Sequence, residues 1–309
     1  MTRPPRARAG ALLSFLAALA LLGAPSAAQT GAADDAPIGD PAAAPPDPLG
    51  TDRIENLDRR DWTLRLEPGV WLVSPAGELR MPGASRDRVR VEELNLDSPR
   101  ARPAGELHLA AEPFRFSFSA SQFGLEPDFV SEDDFDLGDV SIATGDTVDV
   151  DFDLTMIELA AGRLVYQRDF DALSLDPAGA ADFNLRVYAL AGLRLYDLDI
   201  DVRETAPAAA RTSTDQFFGE AFIGARAEVE IARDFSMDLQ LSGGAYLDSD
   251  RSVTSFDIVV GFGWRPHPNM GIQIGWRQLA FFLEDGDGAD TFEYEGTMAG
   301  IQAGVEIRF

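Results

Sequence analysis

The last ten residues, Gly300-Ile-Gln-Ala-Gly-Val-Glu-Ile-Arg-Phe309, alternate without a break. Phe309, Ile307, Val305, Ala303 and Ile301, with Ala299 behind them, share one face. Arg308, Glu306, Gly304, Gln302, Gly300 and Met298 share the other. A period of two is the signature of a strand whose side chains point to opposite sides of a sheet. One side of this strand suits hydrocarbon and the other suits a polar interior, which is the pattern of a strand in a membrane barrel.

The same alternation recurs upstream. In Met270–Phe282 it runs through Ile272, Ile274 and Trp276. In Val253–Trp264, Phe256, Ile258, Val260 and Phe262 oppose Ser255, Asp257, Gly261 and Gly263. In Phe235–Leu247, Met237, Leu239 and Leu241 oppose Ser236, Asp238 and Gln240. In Gln216–Ile231, Ile223, Ala225, Ala227 and Val229 oppose Gly224, Arg226, Glu228 and Glu230. In Phe183–Asp201, Leu185, Val187, Ala189, Ala191, Leu193 and Leu195 oppose Asn184, Arg186, Tyr188, Gly192 and Arg194. Phe114–Gln122 sets Phe114, Phe116 and Phe118 against Arg115, Ser117 and Ser119. Three further segments complete the set. Glu106–Ala111 is short. Trp62–Val73 is interrupted at Pro68-Gly69, where a bulge is expected. Val150–Tyr166 carries Glu158 on its apparent apolar face, which also suggests a bulge, with a short amphipathic helix as the alternative.

These segments predict an all-β, antiparallel up-and-down transmembrane barrel of about ten strands, with eight or twelve as alternatives. Connection lengths agree with this. Glu112-Pro113, Ala232–Asp234 and Arg265–Asn269 are short, and Asp169–Asp182 is longer. Ser74–Gly105, Phe123–Asp149, Val202–Asp215 and Leu283–Thr291 are long, and Asp248–Ser252 is modest. Short turns alternating with long loops are expected of a membrane barrel, and an even strand count brings both chain ends to the side of the short turns. A secreted β-sandwich also buries one face of each strand, but it does not require the alternation of loop lengths.

Composition limits the function. The 309 residues carry a formal charge of −26 and a mean hydropathy of −0.09, and include no cysteine. Such a chain repels nucleic acid. It has neither disulfides nor thiolate metal ligands, and it is too polar for a bundle of membrane helices. Arg3, Arg6 and Arg8 precede the apolar run Ala11–Gly23, and Ser26-Ala27-Ala28 offers small residues before a cut. Residues 1–28 therefore read as a signal peptide cleaved between Ala28 and Gln29 and exported by the general secretory route. Loss of its three arginines takes the formal charge to −29. Residues 29–61 read as a disordered periplasmic linker rich in Ala, Pro, Asp and Gly, and residues 62–309 as the barrel.

In strand pattern and in its terminal aromatic strand, the chain from Trp62 to Phe309 resembles the small bacterial outer-membrane barrels of the OmpA, OmpX and OmpW type. The resemblance implies residence in the outer membrane, in contact with its lipid. It also implies escort by periplasmic chaperones and insertion by the barrel-assembly machinery. Phe309, Ile307, Val305, Ala303 and Ile301 are then the assembly signal, an unpaired edge offered to another sheet by strand addition.

Three sets of residues are candidates for chemistry. The polar faces would send Arg115, Arg186, Arg194, Arg226, Glu228, Glu230, Asp238, Asp257, Arg277, Glu306 and Arg308 into the lumen. There opposite charges should pair as a filling network, the alternative being a charge-lined channel. Two acidic loops, Asp128–Asp139 and Glu284–Glu295, display carboxylates. Asp285, Asp287 and Asp290 form a candidate cation loop, with calcium as the ion, against the simpler reading of a solvated loop. The two histidines complete the list. His267 lies in a turn, and His108 lies on an inward face near Glu106. No catalytic residue and no cofactor are assigned. The expectation is a non-enzymatic, surface-exposed or narrow-pore barrel. The alternatives are a small-solute channel or transporter and a lipid-modifying barrel enzyme, a lipid A acyl hydrolase or transferase using His108.

Overall fold

The computed structural model describes residues 62–170, 183–205, 210–231, 234–248 and 250–309. The expected signal peptide and linker lie outside the described residues. Ten long strands dominate: β1 (Thr63–Arg80), β3 (Arg100–Ala111), β4 (Phe114–Leu125), β8 (Thr147–Phe170), β9 (Phe183–Glu204), β10 (Arg211–Ile231), β11 (Phe235–Leu247), β12 (Arg251–His267), β13 (Met270–Asp285) and β14 (Phe292–Arg308). Four short strands sit in the long connections: β2 (Val89–Arg90), β5 (Asp128–Val130), β6 (Phe135–Leu137) and β7 (Val140–Ile142).

Each long strand pairs antiparallel with the next, and β14 returns to pair with β1. The seam runs from Arg65 opposite Arg308 to Arg80 opposite Glu293. It ends in two backbone bonds, from Phe309 N–H to the Leu64 carbonyl at 2.9 Å and from Leu64 N–H to the Phe309 carbonyl at 3.5 Å. The sheet is thus closed, which leaves no unpaired edge in hydrocarbon. This is the ten-strand up-and-down barrel that the alternation predicts, and every predicted strand is present.

The outward faces form an apolar belt. Val70, Leu72, Phe114, Phe116, Leu159, Leu193, Ile223, Leu239, Phe256, Phe262, Ile272, Ile274, Ile301 and Val305 are all exposed. A water-soluble sheet does not leave such a continuous surface open, whereas a membrane barrel requires one about 25 Å tall.

The strands outrun their predicted lengths. Within β8, Val148, Val150, Phe152, Leu154, Met156, Glu158 and Ala160 are all buried and share the inner face. Outside, Asp149, Asp151, Asp153 and Thr155 precede Ile157, Leu159 and Ala161. Direction does not change between Val148 and Ala161, but polarity does. Above the belt, apolar residues point in and aspartates point out; within the belt the order is reversed. In β9, Tyr196, Leu198, Ile200 and Val202 are buried while Asp197, Asp199 and Asp201 alternate with them, beyond the lipid-facing Leu193 and Leu195.

This inversion corrects the reading of Glu158. Glu158 stands opposite Arg194 on the inner face, in a register with β9 that is unbroken from Val148 to Leu164. The register shifts only between Leu164 and Tyr166. No helix forms there. The bulge expected within Val150–Tyr166 is therefore present, though away from Glu158, whereas the one expected at Pro68-Gly69 is absent. Pro68 stands opposite Gly105 and Gly69 opposite Ala104 in one continuous register with β3. Pro68, which has no N–H, is accommodated by a gap in the pairing with β14 between Leu66 and Gly69.

Glycine is required at the seam. A Cβ built on Gly300 would overlap the carbonyl of Leu72 on β1, whereas the nearest atom to one on Gly105 would be 3.8 Å away. Gly300→Val should therefore cost roughly 1–3 kcal/mol through overpacking. It should reduce the heat-modifiable folded band on a cold detergent gel, while Gly105→Ala leaves that band unchanged.

Candidate functional site

The barrel interior has two storeys. The outer one is apolar. Trp71, Val73, Phe123, Phe152, Leu154, Tyr196, Leu198, Phe218, Leu279, Phe281, Phe292 and Tyr294 form one buried cluster. From the connections above they are joined by Met81, Val89, Val91, Leu94, Leu96, Leu137, Val140 and Ile142. Aromatic contacts cross the lumen from wall to wall. Phe123 of β4 meets Phe152 of β8 at 5.9 Å between centroids, Phe152 meets Tyr294 of β14 at 5.9 Å, Tyr294 meets Phe281 of β13 at 5.1 Å, and Phe281 meets Tyr196 of β9 at 5.9 Å. The first three are edge-on, and pairs of that kind add about 0.5–1.5 kcal/mol each beyond the area they bury.

The inner storey is ionic, and Arg194 is its centre. The side chain is fully buried. It donates to Glu158 at 2.9 and 2.8 Å, to Glu220 at 3.0 Å, to Ser255 at 2.6 Å and to Ser242 at 3.1 Å, and it reaches Asp257 at 3.4 Å. Its guanidinium lies 4.9 Å from the Phe222 ring centroid. Arg277 grips Asp257 with bonds of 3.1 and 2.8 Å and lies 3.6 Å from Glu158. Strands β8 to β13 are thereby laced together across the lumen. Planar arginine forks suit this role because each satisfies several carboxylate oxygens in fixed directions.

A second group lies nearer the short turns. Arg115 pairs with Glu228, Arg226 pairs with Glu228 at 3.1 Å and with Asp238, and Arg65 contacts Glu67 at 2.6 Å. Arg308 pairs with Glu306. Arg186 lies 3.8 Å from Glu230, half-buried at the mouth. The residues predicted for the lumen, Arg186, Arg194, Arg226, Glu228, Asp257, Arg277, Glu306 and Arg308, therefore all face inward, though they form several groups. Sequence reasoning missed Glu220, Tyr196, Arg65 and Glu67. Tyr196 donates its hydroxyl to Glu220 at 2.9 Å. Extending the even-numbered face of β10 upstream from Arg226 would have found Glu220. Arg65 and Glu67 sit on the inner face of β1, whose rhythm Pro68-Gly69 obscured.

The loop carboxylates are engaged in local structure. Arg251 holds Asp285 with bonds of 3.1 and 2.7 Å. Asp287 precedes a single 3-10 turn, Gly288–Asp290, which Asp290 ends. Asp285, Asp287 and Asp290 are not gathered around a common point. Among the described residues, the one cluster of three metal-capable groups is Glu67, Glu106 and His108.

In the other acidic loop, Asp134 accepts from Thr144 N–H at 2.6 Å and from its hydroxyl at 2.8 Å. Asp139 accepts from Ala84 N–H at 2.9 Å. The Thr144 amide, and then its hydroxyl, hold the Asp134 carboxyl below its ordinary value. A depressed folded-state value means that the contribution is present above the unfolded value of about 3.9 and is lost as pH falls through the folded one. Asp134→Ala should therefore hasten proteolytic nicking of residues 131–146 at neutral pH. The difference from the wild type should shrink as acid titrates the carboxylate.

Four outward members of the predicted assembly signal, Phe309, Val305, Ala303 and Ile301, are exposed on the lipid face, and Ile307 is half-buried beside them. His267 sits in the turn, where its Nδ1 accepts from Asn269 N–H at 3.4 Å. His108 is 2% exposed and faces the lumen. Register places it opposite Ser117 of β4, but neither ring nitrogen has a hydrogen-bond partner, so no nucleophile–base pair is formed.

No protein-family model matches the sequence, and no curated protein matches it. Solved structures of similar shape include the outer membrane protease OmpT from Escherichia coli, at 9% identity and a TM-score of 0.41, covering 80% of this chain and 97% of that one. Another is the translocator domain of the autotransporter NalP from Neisseria meningitidis, at 11% identity and a TM-score of 0.34, covering 84% of this chain and 94% of that one. A third is Neisserial surface protein A, at 12% identity and a TM-score of 0.31, covering 81% of this chain and 98% of that one. The barrel is defined here by the closure of β1 on β14, not by these likenesses.

Proposed function

We propose that this chain is a non-enzymatic outer-membrane barrel with a closed lumen, which holds an acidic, strand-built rim above the lipid surface. In this reading the signal peptide exports it, periplasmic chaperones escort it, and a barrel-assembly machinery inserts it by its last strand. The observation that carries the reading is the aromatic and aliphatic filling of the outer storey, from Phe123 through Phe152, Tyr294 and Phe281 to Tyr196. An ion or small polar solute crossing the barrel would have to part this cluster after passing the Arg194 network. Selectivity filters are instead lined by carbonyls or charged side chains, and an apolar constriction blocks ions by dewetting. A lipid-modifying activity would need a nucleophile and base facing the membrane, and His108 faces the other way.

Planar-bilayer recording of the detergent-purified protein tests this. The expected result is no steady single-channel conductance in salt solution. Reproducible unitary steps would overturn the closed-lumen reading and favour the channel alternative.

A further inference from the structure

Two carboxylates, Glu67 of β1 and Glu106 of β3, stand directly opposite each other on the inner face. Like charges in that position repel, and the repulsion is stronger in a dry interior than in water. His108 lies two residues along β3 on the same face. Its Nε2 is 3.1 Å from Glu106 Oε2 and 3.8 Å from Glu67 Oε2. Glu67 also has Arg65, whereas His108 is the one ion-pair partner of Glu106 among the described residues.

The hydrogen bonding of this cluster is unfinished. His108 is 2% exposed, yet neither ring nitrogen makes a hydrogen bond: Nδ1 has no partner, and Nε2 lies near Glu106 Oε2 without hydrogen-bond alignment. Orphaned polar atoms at this depth are uncommon and call for an explanation. A cavity of about 60 Å³ adjoins the two carboxylates, lined in part by Glu67, Glu106, Ser117, Ser119, Asp238 and Arg226. That is room for a few waters.

We propose that Glu67, Glu106 and His108 form a binding site for a divalent transition cation of the zinc class. Their ligand atoms lie within 4.8 Å of one another. Tetrahedral ligands about 2.0–2.2 Å from a common ion stand roughly 3.3–3.6 Å apart, so side-chain movement of about an ångström closes the site. One imidazole nitrogen and two carboxylate oxygens favour such an ion over magnesium or calcium, which prefer oxygen alone. Cavity water fills the open coordination position. The cation removes the Glu67–Glu106 repulsion and gives His108 Nε2 its partner. The site goes beyond the closed-barrel reading and does not depend on it, because a conducting barrel could hold the same ion.

The test uses Co²⁺ as a visible stand-in. The protein is folded into detergent in the presence of CoCl₂, desalted, and assayed for bound cobalt and for d–d absorption. Folding is checked separately by heat-modifiable mobility. The expected result is close to one cobalt per chain with a visible band, displaced by Zn²⁺ but not by excess Ca²⁺ or Mg²⁺. His108→Ala and Glu106→Gln should each lower the cobalt content about tenfold or more, and His267→Ala should leave it unchanged. A folded wild-type protein without stoichiometric cobalt overturns the proposal whatever the variants do. So does a folded His108→Ala protein that binds normally, or loss of cobalt in His267→Ala alone.

Discussion

Arg194→Ala should abolish the folded, heat-modifiable form of the protein. The substitution removes one cation: it leaves Glu220 without its cationic partner and Glu158 with Arg277 alone at 3.6 Å, and it strips Asp257 of one of its two arginines. Breaking a single buried ion pair by removing one partner costs about 3–5 kcal/mol. Here one residue serves three carboxylates, and the loss is a large part of the roughly 5–15 kcal/mol that holds a typical domain together. Arg194→Lys should rescue little, since an ammonium cannot make the paired bonds to Glu158 while also reaching Glu220. Arg194→Met combined with Glu158→Gln and Glu220→Gln should recover part of the folded band, because it removes the stranded charges as well as the cation. The measurement is the folded fraction on unheated detergent gels against urea. A single Arg194→Ala variant with wild-type urea resistance would show that the network contributes no stability.

Assembly should fail when the last strand loses its apolar end. On the proposed insertion route, β14 enters as the strand that closes the barrel, and Phe309 makes both terminal backbone bonds to Leu64 at the seam. Deleting Phe309 removes those bonds along with the interfacial aromatic ring. Replacing both Val305 and Ile307 by Asp puts two carboxylates on the lipid face. Arg or Lys at mid-bilayer costs about 2–4 kcal/mol and Asp less, but two together also damage the edge presented for docking. Either change should leave the chain in the periplasm, degraded, with outer-membrane yield down by an order of magnitude or more on the scale those energies set. Ala303→Leu, which keeps the stripe apolar, should assemble normally. Cell fractionation with quantitative immunoblotting reads the outcome, and normal outer-membrane yield of the Phe309 deletion would refute the assembly role.

The part of the fold that lies in lipid was legible because hydrocarbon imposes one rule on every strand: apolar side chains out, polar or small ones in. Ile301 to Phe309 and Leu185 to Leu195 obey it, so their facing could be read directly. Above the membrane the rule reverses, and a single strand such as β8 carries both patterns. Reading apolar residues as lipid-facing throughout made Glu158 look misplaced, when Leu154 and Met156 in fact share its inward face. It also made the outer loops seem longer than they are, because Val148, Val202 and Thr212 already belong to strands. The charged lumen was visible as a list of residues but not as a network. Which Arg meets which Glu depends on strand register and on chords across the lumen, as when Arg194 of β9 reaches Asp257 of β12. Glu106 and His108 could be read as neighbours on one face of β3, but Glu67 joins them only through the β1–β3 register.

The inversion of polarity along the strands is the central claim, and site-directed labelling tests it most directly. The chain has no cysteine, so single cysteines can be placed along the outer face of β9 at Leu193, Leu195, Asp197 and Asp199 without a background. The protein is inserted into lipid vesicles and exposed to a membrane-impermeant maleimide. In the orientation that leaves the long connections outside, Asp197→Cys and Asp199→Cys should label rapidly, while Leu193→Cys and Leu195→Cys should label only after the membrane is dissolved. Equal labelling of all four in intact vesicles would contradict the account.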